Sequence, residues 1–118
     1  MIIAIPVNEN NLSSEICPSF GRAPYFLIYD TSNDKSKFIE NQASSSQGGA
    51  GVKASQTVIE YAEAILTPRL GRNSADVLLS AGVKIYKTEG DELLKNINNF
   101  KAGNLSELKE IHAGFHRH

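Results

Sequence analysis

Ile2-Ile3-Ala4-Ile5-Pro6-Val7 is an unbroken apolar run, rich in isoleucine and without polar alternation. A strand covered on both faces reads this way, because helices packed against either side of a sheet leave no wet face. The run is read as a central strand, and the chain around it as an α/β protein.

Working outward, the next apolar run is Tyr25-Phe26-Leu27-Ile28-Tyr29-Asp30, and the seventeen residues between the two runs are rich in Asn, Ser, Gly and Pro. A connector of that length inside a small domain is usually functional or mobile. Thr31-Ser32-Asn33-Asp34 has turn chemistry, and Lys35 to Asn41 reads as a more polar strand. The two strands make an antiparallel hairpin with the lysine-bearing member at the sheet edge. Asn41 to Gly51 holds few apolar residues and is expected to be an exposed loop. From Val52, residues Ala54, Val58, Tyr61, Ala62 and Ile65 follow helical spacing, and Ala64 to Thr67 is a short strand stopped by Pro68. Asn73 is a candidate N-cap for a helix carrying Ala75, Leu78 and Leu79, which Gly82 ends. Val83 to Tyr86 is the next strand. Asp91 opens a helix bearing Leu93, Leu94, Ile97 and Phe100, and Gly103 stops it.

The order β-β-β-α-β-α-β-α predicts a mixed five-stranded sheet with helices on both faces. Residues 1–103 form a single domain in this reading, followed by a histidine-containing tail over 104–118.

The chain has 118 residues, of which 41% are apolar. That supports one modest core and excludes both a disordered chain and a multidomain machine. Twelve basic against thirteen acidic side chains give a net charge of -1, which favours neither nucleic acid nor an anionic membrane as partner. One cysteine makes no internal disulfide, and MIIAIPV is too short for a secretory signal or a membrane span. A soluble, cytoplasmic protein is the expectation.

Cys17 lies in the long connector after the first strand, where ligands of open α/β sheets gather. Its thiolate could ligate a soft metal; as an unpaired cysteine it could equally be a small buried residue. Arg22, between Gly21 and Ala23, suits either an anionic ligand or a surface ion pair. Gln47-Gly48-Gly49-Ala50-Gly51 opens onto a helix, an arrangement in which backbone N–H groups approach an anion. It lacks the Gly-Lys-Ser/Thr of a phosphate loop, and a flexible connector would look similar. Arg69-Leu70-Gly71-Arg72-Asn73 repeats the loop-to-helix junction with two arginines, and the pair of junctions points to one anionic pocket. In the tail, His112, His116 and His118 could chelate a transition metal or simply be solvated.

The order of these motifs resembles the dinitrogenase iron-molybdenum cofactor biosynthesis family, which includes NifX-like carriers and the C-terminal domain of NifB-like proteins. The resemblance rests on the first strand, Phe20-Gly21-Arg22-Ala23-Pro24-Tyr25-Phe26, Gly48-Gly49-Ala50-Gly51, Gly71-Arg72-Asn73-Ser74-Ala75 and Ala81-Gly82-Val83-Lys84-Ile85-Tyr86, and covers nearly all of the chain through Gly103. It implies a ribonuclease H-like fold and a binding protein rather than an enzyme, which carries or inserts an iron-sulfur or iron-molybdenum-sulfur cofactor and passes it to an acceptor protein. Many relatives carry His before the Phe-Gly pair and near the Gly-rich run, where this chain has Ser19 and Gln47. Residues and resemblance together nominate Cys17, Phe20, Gly21, Arg22, Gly48, Gly49, Gly51, Gly71, Arg72 and Asn73 as cofactor-binding. Cys17, His112, His116 and His118 are the candidate metal ligands. A conventional iron-sulfur centre takes four thiolates, but a preassembled cofactor brings its own sulfides and needs fewer protein ligands.

Two other readings remain open at this point. A small-anion-sensing or protein-interaction module would use the same glycine-rich pocket without a metal. A metal-dependent nuclease would need converging carboxylates; Ile2 to Val7 contains none, and Asp30 and Glu40 on the hairpin have no evident third partner.

Overall fold

The computed structural model describes residues 1–108. Its six-stranded sheet has the order β3-β2-β1-β4-β5-β6, built from β1 (Ile2–Val7), β2 (Tyr25–Asp30), β3 (Lys35–Glu40), β4 (Ala64–Thr67), β5 (Lys84–Lys87) and β6 (Ser106–Leu108). Strands β1, β4 and β5 are parallel, while β2, β3 and β6 run antiparallel to their neighbours. The helices are α1 (Ala50–Tyr61), α2 (Arg72–Ser80) and α3 (Leu93–Lys101), with a single 3₁₀ turn at Gln42–Ser45.

The first run is central, as its composition predicts. Alternate residues of β1 enter opposite cores: Ala4 packs with Ala54 and Val58 of α1 and Ala75 and Leu78 of α2, whereas Ile3, Ile5 and Val7 pack with Leu93 and Ile97 of α3. Helices therefore cover both faces. Pro6 is tolerated in a central strand because the β1–β4 register spans Ile3 and Ala4, leaving its missing N–H beyond the paired stretch on that side. The lysine-bearing β3 lies at one edge, paired with β2 from Tyr25↔Glu40 to Asp30↔Lys35.

Three local expectations are corrected. The sheet has six strands rather than five: Ser106–Leu108, expected in the tail, pairs with Ile85 to Lys87 of β5. Asn73 is not a cap but a residue inside α2, whose N-cap is Gly71. The Asn41 to Gly51 segment is not wholly exposed, since Asn41 and Ala43 are buried. The Asn41 side-chain amide donates to the carbonyls of Gly21 (3.1 Å) and Ala23 (2.9 Å), while its Oδ1 accepts from the Ala43 N–H at 3.1 Å. Helix α1 starts at Ala50, two residues before the periodic pattern, because Gly49 turns the chain with φ 69°.

The strand directions put the connectors at 8–24, 41–49, 68–71 and 88–92 at one end of the sheet, together with all three helix N-termini. The hairpin turn at 31–34 is at the opposite end. There Lys101 Nζ lies 2.8 Å from Asp34 Oδ1, and the Tyr29 hydroxyl donates to the same oxygen at 2.6 Å. This fastens the end of α3 to the hairpin. The Lys101 hydrogen bond, then that of Tyr29, holds the Asp34 carboxyl below its ordinary value.

Candidate functional site

At the connector end, the loop after β1 folds over the starts of α1 and α2. Phe20 anchors it: the ring is buried and meets Phe26 of β2 at 5.3 Å between centroids. That anchor presses Gly21 onto the first turn of α1. A β-carbon on Gly21 would lie 2.8 Å from the Gly51 nitrogen, and one on Gly51 would overlap the Ser74 hydroxyl. Ser55 Oγ ties the two helices further, donating to the carbonyl oxygens of Gly51 (2.9 Å) and Ser74 (3.3 Å).

The result is a groove of about 480 Å³, lined by residues 18–22, Ala50, Gly51, residues 69–71 and Ser74. A second hollow of about 310 Å³ continues over Gly49, Val52, Arg72 and Asn73, sharing Ala50, Gly51, Gly71 and Ser74 with the first. Volumes of this order suit a small ligand. The two loop-to-helix junctions of the sequence thus meet in one place. Arg22, Arg69 and Arg72 line these hollows, and no Asp or Glu does. Arg69 and Arg72 form no salt bridge among the described residues. Two helix N-termini add their partial positive charge.

The sequence candidates fare differently. Phe20, Gly21, Arg22, Gly51 and Gly71 line the main groove, and Gly49, Arg72 and Asn73 line its extension. Gly48 lines neither, and a β-carbon there would meet nothing within 4 Å. Arg22 is partly occupied: its Nη1 donates to the Ser44 carbonyl at 3.2 Å and also to the Ser46 carbonyl, clasping the 3₁₀ turn. Cys17 is buried and lines neither hollow, with its Sγ donating to the Ser19 carbonyl at 3.6 Å and its N–H to the Pro6 carbonyl at 2.8 Å. His112, His116 and His118 lie outside the described residues. Among the described residues, no group of three or more His, Cys, Asp or Glu is placed to hold a metal ion.

Ser74 and Ala50 also belong to the groove wall, although neither is nominated from the motifs that contain them. Their role follows from the α1–α2 contact, which leaves no mark on either segment alone. The two hairpin acids stand apart: Glu40 pairs with Tyr25 and Asp30 with Lys35, so five residue steps, about 17 Å at the usual rise, separate them along the hairpin.

A family profile described as dinitrogenase iron-molybdenum cofactor matches residues 1–103. The chain belongs to this family. The apo form of the orange protein from Desulfovibrio gigas superposes with a TM-score of 0.86 at 25% identity, over 91% of this chain and 92% of that one. A NifB-like protein from Thermotoga is 35% identical with a TM-score of 0.79, over 94% and 96% of the two chains. A dinitrogenase-like protein from Methanocaldococcus jannaschii gives 27% and 0.69, over 94% and 97%. No curated protein matches. These similarities support a cofactor-binding or accessory role for this member of the dinitrogenase iron-molybdenum cofactor family. No helix among its described residues is long and apolar enough to cross a membrane.

Proposed function

We propose that this protein is a non-enzymatic carrier or accessory protein that holds an anionic iron-sulfur or iron-molybdenum-sulfur cofactor in the groove and yields it to an acceptor protein. The observation that carries this reading is the convergence of two helix N-termini and three arginines on two adjoining hollows, Arg22 and Arg69 on the groove and Arg72 on its extension, without a carboxylate. The donor set is that of an anion site. Guanidinium and backbone N–H groups would grip the sulfides and overall negative charge of the cargo rather than its metal ions. Holding by charge-assisted hydrogen bonds permits release without breaking a metal–protein bond, as a carrier requires. Direct ligation by Cys17 would require its thiol to leave the Ser19 carbonyl.

The lack of thiol, imidazole or carboxylate in the lining also favours a second reading, a module that senses a small anion without metal. One experiment separates the two. Apo-protein is titrated without oxygen with a preassembled iron-molybdenum-sulfur cluster and with an iron-sulfur cluster, followed by absorbance and EPR, and with sulfate, followed by isothermal titration calorimetry. The carrier reading expects cluster uptake that survives Cys17→Ser and weakens roughly 10- to 100-fold in Arg69→Ala or Arg72→Ala, the loss for one hydrogen bond to a charged partner. Unchanged spectra with every cluster overturn it, and saturable sulfate binding alone supports the sensor.

A further inference from the structure

A different cleft, at the same end of the sheet but beside the N-terminus of α3, is chemically the reverse of the groove. It encloses about 300 Å³ and is lined by residues 12–15 and 91–95. Leu12 and Leu94, 41% and 50% exposed, both line it, and they are two of the four exposed large apolar residues among those described. Around them stand Glu15, Asp91 and Glu92, with Lys95 as the single cation. None of the three carboxylates forms a salt bridge among the described residues.

The backbone makes this arrangement costly. Glu15 and Glu92 form an isolated antiparallel bridge, reinforced by the Ile16 N–H donating to the Asp91 carbonyl at 2.9 Å. Residues facing each other across such a bridge have β-carbons about 5 Å apart, and like charges so placed repel. The positive end of α3 offsets part of this for Asp91 and Glu92, but Glu92 makes no side-chain cap and Glu15 belongs to another element. Two exposed leucines and a like-charge pair in one cleft are each unfavourable in the free chain.

We propose that this cleft docks a segment of a partner protein in which an aliphatic side chain is flanked by Lys or Arg. The aliphatic group covers Leu12 and Leu94, and the cations neutralise Glu15, Asp91 and Glu92. The three carboxylates repel nucleic acid and anionic lipid, which leaves a basic polypeptide as the occupant of matching chemistry. The cleft is on the opposite face of the sheet from the arginines, so this inference does not depend on what the groove holds.

The test uses the full chain, labelled with ¹⁵N and titrated with a synthetic peptide of two leucines flanked on each side by two lysines. Amide shifts are expected at 12–16 and 91–95. Affinity should fall roughly three- to tenfold in the Glu15→Gln, Glu92→Gln double variant, the range for two exposed ion pairs, while its melting temperature is held or raised by relief of the repulsion. A peptide with serines in place of the leucines should bind more weakly. Equal binding of the serine peptide, shifts confined to other surfaces, or a dimer in sedimentation that Leu94→Ser abolishes would each overturn the proposal, the last by making a second copy the occupant.

Discussion

Gly21 and Gly51 meet main chain to main chain: a β-carbon added to Gly21 would stand 2.8 Å from the Gly51 nitrogen and 2.9 Å from its Cα. Neither atom can move without shifting the first turn of α1. Gly21→Ala is therefore expected to destabilise by about 1–3 kcal/mol, the range for overpacking, visible as a lower melting temperature. Gly51→Ala should cost less, because the Ser74 hydroxyl it strikes can rotate and Ala gains about 1 kcal/mol of helix propensity over Gly. Thermal melts of both variants check the order; an equal or larger loss in Gly51→Ala would contradict it.

Arg22 clasps the carbonyls of Ser44 and Ser46. Arg22→Ala should release the 3₁₀ turn and raise amide exchange in residues 43–49, with a global loss of about 0.5–1.5 kcal/mol. Arg22→Lys should rescue little, since a single ammonium does not reproduce the planar guanidinium. Hydrogen-exchange mass spectrometry reads the local effect.

Asp34 contributes to the pH dependence at the opposite end of the molecule, where the Ser32 hydrogen bonds also lower the Asp30 carboxyl. Lys101 and Tyr29 hold its carboxyl below the ordinary value, so its stabilising effect is fully present above the usual carboxylate range and is lost as pH falls through the lowered value. Asp34→Asn is expected to lower the melting temperature at neutral pH, with the difference from wild type closing in acid. The substitution isolates charge, because Asp34 has φ 59° and Asn accepts that backbone as readily. Melts across a pH series check this; a constant difference would contradict it.

Asn96 is fully buried near the start of α3. Its Oδ1 accepts from the Glu89 N–H at 2.8 Å, and its Nδ2 donates to the carbonyls of Glu89 (3.0 Å) and Glu92 (2.8 Å). Asn96→Ala leaves the part-buried N–H and carbonyl of Glu89 without this partner, while the Glu92 carbonyl keeps the Asn96 backbone N–H at 3.2 Å, and is expected to cost about 1–3 kcal/mol. Denaturant melts measure the loss. Asn96→Asp removes the amide donor as well and should not restore it.

Most of the fold was legible because its signals are local. Ile2–Val7 announced a two-sided strand, the lysines of β3 an edge, and the apolar spacing each helix. Strand β6 was not legible: Ser106-Glu107-Leu108 is too short and polar to show a period, and it exists through pairing with Ile85 to Lys87. The Asn73 cap failed because the turn is made two residues earlier, where Gly71 takes an extended backbone as N-cap. The two glycine-rich junctions and their sharing of one pocket could be read, but the close approach of Gly21 to Gly51 and of Gly51 to Ser74 could not, since it exists only after three connectors are folded together. Net charge concealed the division between the arginine groove and the cleft around Glu15 and Glu92, because the two surfaces cancel in the sum.

The gathering of connectors at one end of the sheet gives the molecule a direction for attachment. Ser80 closes α2 at the other end and is exposed, whereas Cys17 is only 7% accessible. A Ser80→Cys variant thus offers one freely reactive thiol among the described residues, placed where a surface, dye or bead would leave both the groove and the acidic cleft pointing outward.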